Sequence, residues 1–311
     1  MKKRDFLSVT DFSIDEIWKL FEFTHKLKKQ IRKGIYKKYL KNKIIAMIFS
    51  KTSTRTRVSF EVGIRQLGGS AIYLNKNDIQ LNKGETIYDT AKVLSRYVNG
   101  IVIRTYKHEE VVELANSADV PVINGLTDLL HPCQALADFF TIFENKPQFV
   151  NNPSNLKLTF IGDGNNVASS LLLLSSMMGN EIRIATPKGY EIPKQIIEIA
   201  EENAKKSGAK IIMGNDHIEL AKDADVLYTD VWVSMGQESE SEERIKVFKN
   251  YRIDRDVIKV AKTDVIVLHC LPANRGMEIT DEVMDGPHSR VFDEAENRLH
   301  VQKAIMIKLL S

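Results

Sequence analysis

The sequence contains only two cysteines in 311 residues, Cys133 and Cys270, far apart and without paired metal-site spacing, which argues against a disulfide framework and against a structural zinc. A reducing compartment, the cytoplasm by default, is the expected setting. Long apolar runs are also missing: no stretch of about 18 apolar residues is present to span a bilayer. The charged start MKKRDFLSVTDF leads into an amphipathic helix rather than a signal-peptide core. Net charge is low at +3, so the chain as a whole lacks the strong field that would attract nucleic acid nonspecifically. Proline is sparse, with eight residues, but two of them fall in one short stretch, Glu144 to Asn155 (ENKPQFVNNPSN). That stretch is the candidate domain boundary.

What remains is an ordinary core-forming composition, 43% hydrophobic, at a length that suits two domains. Apolar runs rich in Ile and Val alternate with helical patterns. The candidate strands are Ile44 to Phe49, Ala71 to Leu74, Ile101 to Arg104, Pro121 to Ile123, Leu158 to Ile161, Glu181 to Ala185, Lys210 to Met213, Val226 to Thr229 and Val265 to His269. Such alternation predicts an α/β fold with mainly parallel, doubly wound sheets covered on both faces. Two polar segments stand out. Lys26 to Lys43 (KLKKQIRKGIYKKYLKNK) reads as a solvated helix and basic loop rather than an RNA site, because Leu27, Ile31 and Ile35 keep helical apolar spacing and only two tyrosines are available for stacking. Gln237 to Arg244 (QESESEER) reads as a polar insertion, a candidate mobile loop.

The chemistry-bearing residues lie where strands end. After IIAMIF comes SKTSTRTRVSFE, with six hydroxyls and two arginines at the start of a predicted helix. Free backbone N–H groups and the helix macrodipole favour an anion there, and forked guanidinium donors suit a phosphate. Arg57 has a plainer reading, a pair with Glu61 one turn later; Arg55 does not. The turn lacks the spaced glycines and lysine of a P-loop. A second strand-to-helix turn, FIGDGNNVA, carries half of a dinucleotide fingerprint. Val167 stands at the third glycine position, and no acidic residue closes the next strand, EIRIATP. Nicotinamide binding is not expected. Arg104, His131, Gln134, Asp230, His269 and Cys270 mark further strand or helix ends, where open parallel sheets bind ligands. Adjacent strand residues point to opposite faces, so Asp230, His269 and Cys270 are not expected to share a metal. A Cys270 nucleophile activated by His131 is a minority alternative.

Six ordered motifs now span nearly the whole chain: STRTR (Ser53 to Arg57), HPCQALAD (His131 to Asp138), GDGNN (Gly162 to Asn166), DVWVSMG (Asp230 to Gly236), HCLP (His269 to Pro272) and AENR (Ala295 to Arg298). Together they resemble the ornithine carbamoyltransferases. STRTR and HPxQ resemble carbamoyltransferases generally, whereas DVWVSMG and HCLP resemble the ornithine-using branch. The resemblance implies that Ser53, Thr54, Arg55, Thr56, Gln80, Arg104, His131, Gln134 and Arg298 bind carbamoyl phosphate. Gln80 would be contributed from a loop near a subunit boundary. Asn166, Asp230, Ser234, Met235, Cys270 and Leu271 would hold L-ornithine, and Arg55, Arg104, His131 and Cys270 would carry catalysis. It further implies a carbamoyl phosphate domain at 1–145, an ornithine domain at 146–293, and a C-terminal helix, 294–311, that returns to the first domain. A homotrimer, no metal or organic cofactor, no nucleic-acid or membrane partner, and a role in arginine biosynthesis complete the expectation.

Chemistry explains the donor cluster. A neutral δ-amine attacking a carbamoyl carbon generates an oxyanion before phosphate leaves, and preorganised donors must face that oxygen. A sibling enzyme using putrescine or an acylated ornithine would keep the phosphate site and change the amino-acid loop. A nicotinamide dehydrogenase would instead use Gly162 to Asn166, and an RNA-binding protein the Lys26 to Lys43 segment.

Overall fold

The computed structural model describes residues 3–80, 84–234 and 236–311. The chain divides into two compact units, one running up to Leu136 and including Glu296–Ser311, the other Ala137–Ala295.

The first unit carries a four-stranded, all-parallel sheet built from β1 (Ile44–Phe49), β2 (Ser70–Asn75), β3 (Gly100–Arg104) and β4 (Val122–Leu126), in the order β2-β1-β3-β4. β1 is buried beyond Ile44, and β3 is buried throughout, as expected for strands covered on both faces. Helix α1 (Ile14–Arg32) starts at a capping box in which Ser13 and Glu16 satisfy each other's backbone N–H groups. It buries Ile17, Leu20, Phe21 and Leu27, so the basic segment is an amphipathic helix end followed by a loop. Three further helices, α2 (Thr54–Gln66), α3 (Ile87–Tyr97) and α4 (His108–Ser117), follow the successive strands.

Helix α5 (Pro132–Asn145) carries the chain from the first unit into the second. The proline-bearing segment after it folds into two short 3-10 turns, Pro147–Phe149 and Pro153–Asn155, each with proline in the first turn. The second unit holds a five-stranded parallel sheet of β5 (Lys157–Ile161), β6 (Glu181–Ala185), β7 (Lys210–Gly214), β8 (Val226–Thr229) and β9 (Ile266–Leu268), in the order β7-β6-β5-β8-β9. Helices α6 (Asn166–Met178) and α7 (Lys194–Ser207) end at Gly179 and Gly208, both left-handed, where a Cβ would be strained. Short helices α8 (His217–Ala221), α9 (Ser241–Phe248), α10 (Arg255–Val260) and α11 (Asp281–Met284) complete this unit. The last helix, α12 (Val291–Leu310), begins in it and returns to the first unit from Glu296 onward.

The doubly wound α/β expectation is met, with boundary changes that matter. β4 continues past Ile123 to Leu126, because Asn124 pairs with Ile103 and Leu126 with Arg104, the register shifting past Gly125 between them. β9 stops at Leu268, so His269 and Cys270 stand in the connection beyond the strand. QESESEER is not an open loop: Glu238–Glu240 forms a 3-10 turn and α9 begins at Ser241, with Glu242 and Glu243 in the first turn, where the helix dipole favours acids.

Candidate active site

The first unit gathers its donors around one hydroxyl. Ser53 caps α2, its side chain accepting from the Thr56 N–H at 3.2 Å, so the STRTR stretch does sit at a helix N-terminus. Thr56 points inward and is buried. Its Oγ1 lies 3.4 Å from Arg104 Nη1 and 3.4 Å from Arg298 Nη2, which brings the end of β3 and helix α12 to the start of α2. Arg298 Nη1 also donates to Gln134 Oε1 at 2.5 Å and lies 3.5 Å from His131 Nε2. Arg104, His131, Gln134 and Arg298 are all buried. Five predicted residues from four segments therefore converge.

This cluster is strongly cationic, and His131 responds to it. Burial, followed by the charges of Arg298, Arg104 and Arg55, holds its pKa well below the usual histidine range. The ring is neutral at physiological pH and adds no charge, and its Nε2 can only accept from Arg298. Arg57 follows its plainer reading, with Nε 3.8 Å from Glu61 and its guanidinium 3.7 Å above the Tyr73 ring. Ser53 and Arg55 are half-buried at the helix start, and Thr54 and Gln80 are exposed. Sequence reasoning missed Gln302, whose Oε1 accepts from Arg298 Nε at 2.8 Å while its amide donates to Ser59 at 2.8 Å. The signal was available as the i,i+4 spacing from Arg298 on one helix.

In the second unit, Asp230 follows β8 and is buried. Its Oδ2 accepts from Asn165 Nδ2 at 2.8 Å, and its Oδ1 accepts from the Val231 N–H at 2.8 Å and from Cys270 Sγ at 3.1 Å. Asn165 also caps α6, accepting from Val167 and Ala168, which places Asn166 in the first turn of that helix. Gly164 explains the GxG spelling without a cofactor: a Cβ there would sit 2.4 Å from the backbone of Glu191 and Ile192. The glycine allows two loops to touch. Ser234 is half-buried, with its N–H donating to Gln237 Oε1 at 3.0 Å; Met235 lies outside the described residues.

Another residue that sequence reasoning passed over fixes this loop. Arg244 donates from Nε to the Trp232 carbonyl at 2.7 Å and pairs through Nη2 with Asp163, and both partners of that ion pair are buried. Burial pushes Asp163 up to about 6 although Arg244 opposes the shift. The DVWVSMG stretch is thus tied at Trp232, through Arg244, to the GDGNN turn.

The HCLP turn is equally determined. His269 is fully buried; Nδ1 accepts from the Leu271 N–H at 2.9 Å and Nε2 lies 3.1 Å from Glu278 Oε1. Leu271 adopts a left-handed φ of 60°, which a branched residue tolerates only when its surroundings enforce it. Burial and then Asp230 push the Cys270 thiol well up, so it is a hydrogen-bond donor to Asp230 rather than a nucleophilic thiolate. One expectation needs correction. Asp230, His269 and Cys270 do bring ligand-type atoms within 4.8 Å of one another, because both latter residues lie past the strand and escape its alternation. The ring nitrogens of His269 are nevertheless engaged with Leu271 and Glu278.

Two parallel, doubly wound units, one carrying an anion-suited donor cluster and the other an acidic, amine-suited strand end, define an α/β enzyme acting on small polar molecules. The carbamoyl-P binding domain model of the aspartate/ornithine carbamoyltransferases matches residues 4–144, and their Asp/Orn binding domain model matches residues 154–309. The chain belongs to the aspartate/ornithine carbamoyltransferase family. It is 56% identical over 304 residues to an ornithine carbamoyltransferase of Caldicellulosiruptor saccharolyticus, covering 98% of this chain and 97% of that protein. The solved ornithine carbamoyltransferase of Pyrococcus furiosus superposes with a TM-score of 0.94 at 50% identity, covering 99% of this chain and 97% of that one. The anabolic ornithine carbamoyltransferase of Campylobacter jejuni gives a TM-score of 0.92 at 46% identity, covering 98% of each chain.

Proposed function

We propose that the chain transfers the carbamoyl group of carbamoyl phosphate to the δ-amine of L-ornithine, giving L-citrulline and phosphate in arginine biosynthesis. The observation that carries this reading is the convergence of Arg104, His131, Gln134 and Arg298 near Thr56 at the head of α2. Residues 1–145 form the carbamoyl phosphate domain, with 294–311 returning to it, and 146–293 form the ornithine domain. The phosphate is received by Ser53, Thr54, Arg55 and Thr56, where backbone N–H groups and the helix dipole meet a guanidinium. Gln80 supplements them from a loop near a subunit boundary of a homotrimer.

Arg104, His131, Gln134 and Arg298 surround the carbamoyl end. A neutral His131 polarises the carbonyl by donation without competing with the arginines as a further charge. Asn166 donates to the ornithine carboxylate, Asp230 receives the α-ammonium, and Ser234 and Met235 are assigned to ornithine binding. Cys270 and the Leu271 backbone lie beside the δ-amine. The amine attacks in its neutral form, an oxyanion develops on the carbamoyl oxygen, and the departing phosphate takes the amine proton. The reaction needs no cofactor, and the cytoplasm is its setting.

The test compares citrulline-type product formation from carbamoyl phosphate with L-ornithine, putrescine and N-acetylornithine, using Arg55→Ala as control. Ornithine-selective turnover that falls on the order of 10² or more in the control supports the reading. Preference for another amine overturns the assignment of the SMG loop, and absence of turnover in folded wild-type protein overturns the function.

A further inference from the structure

Beneath the HCLP turn lie two buried carboxyls that the chemistry above does not use. Glu294, on α12, is fully buried, with Oε1 accepting from Tyr228 Oη at 3.0 Å and Oε2 accepting from the His269 N–H at 2.9 Å. Asp138, on α5, is also fully buried and hydrogen-bonds the same carboxyl. Two hydrogen-bonded carboxyls out of contact with water do not both ionise, since each would face a like charge without solvent screening. The His269 N–H is an obligate donor, so the oxygen facing it must accept. Next along the chain is Cys270, donating to Asp230 at 3.1 Å, and then Leu271 in its left-handed conformation.

We propose that Asp138 and Glu294 share one proton and act as a positioning pair for Cys270: Glu294 pins the His269 amide, and so sets the backbone from which Cys270 reaches Asp230. The inference deepens the ornithine-binding reading of this turn and rests on it for the kinetic consequence. The groups facing the pair are Tyr228 from β8, the His269 amide and Cys270 beyond β9, and Asp230 beyond β8. Charges on this set act in concert. Burial and Asp138 hold Glu294 well above the ordinary carboxylate range, and burial first, then Asp230, with smaller contributions from Glu294 and Asp138, pushes the Cys270 thiol up. Glu294, through the His269 amide, therefore fixes where the thiol sits, and the charge left on the pair adds to the burial and the Asp230 contact that keep it protonated.

Isosteric substitutions separate these roles. Glu294→Gln keeps an acceptor for His269 and supplies the donor that the shared proton provides, and Asp138→Asn does the same from the other side, so either single variant leaves one negative charge. The double variant leaves none. Cys133 is fully buried, so alkylation by iodoacetamide reads Cys270. Each single isostere should leave the pH profile of alkylation in place, whereas the double variant should move it down by about one pH unit or more. For turnover, Glu294→Gln should retain kcat within about threefold and Glu294→Ala should lose about tenfold or more, with carbamoyl phosphate binding unchanged in both. A single isostere that shifts the alkylation profile as far as the double variant overturns the shared proton. A Glu294→Ala enzyme no worse than Glu294→Gln overturns positioning; if Glu294→Ala does not fold, the alkylation profiles of the isosteres still decide. Failure of the ornithine reading itself would show separately, as wild-type protein that forms no citrulline.

Discussion

At the scale of single residues, charge and burial decide what each group does. His131 illustrates this, because the unfolded chain binds a proton at this ring that the native state refuses. The stability tied to it is present above the unfolded histidine value of about 6.5 and is lost as pH falls from there toward the lowered folded value. Denaturant melts across that range should therefore show an acid-side loss of stability that His131→Gln makes shallower. The same variant should lower kcat on the order of 10² or more, because a carbonyl donor is displaced. His131, Arg104 and Cys270 were legible as candidates because polar residues at strand ends are unusual in an apolar pattern. Their state was not legible. Nothing in the string HPCQ says that three arginines from other segments surround the ring, or that Asp230 holds the Cys270 thiol.

At the scale of elements, the decisive contacts join segments that sequence reading treats separately. Arg244 looked like the end of a polar insertion, but α9 delivers it to Asp163 and to the Trp232 carbonyl. A buried pair of this kind is strongly destabilised when one partner is removed, since the other charge is left uncompensated. Arg244→Ala should raise the KM for ornithine by about tenfold or more while leaving the KM for carbamoyl phosphate near its wild-type value. A pH effect follows from Asp163, raised to about 6. Above that value the carboxylate engages Arg244; as pH falls through it, protonation weakens the clamp and the KM for ornithine should climb. Kinetics between pH 5 and 8 check this, and Arg244→Ala should flatten the profile. Strand and helix identity was readable from periodicity, whereas the end of β9 was not, because no glycine or proline separates Leu268 from His269 and Cys270.

For the molecule as a whole, two parallel sheets supply rigid platforms from which the polar strand ends project. Phe160 is fully buried in β5 at the centre of the second sheet and stacks on Tyr228 with ring centroids 5.8 Å apart. Phe160→Ala should cost about 3–5 kcal/mol in urea unfolding, through lost burial and the cavity left behind. Because Tyr228 also donates to Glu294, the loss should reach the HCLP turn and lower turnover of ornithine even where the protein remains folded.

The amino-acid sequence by itself determined the alternation of strand and helix, the anion-suited start of α2, and the motifs by which the chain resembles its family, because these depend on local periodicity, capping and residue type. Only the tertiary structure decided that Thr56 stands between Arg104 and Arg298, that Arg244 closes on Asp163, and that Asp138 meets Glu294 beneath Cys270. Those pairings join residues far apart in the chain. No propensity or spacing encodes them, since they arise where buried charges must find partners once the sheets and helices have packed.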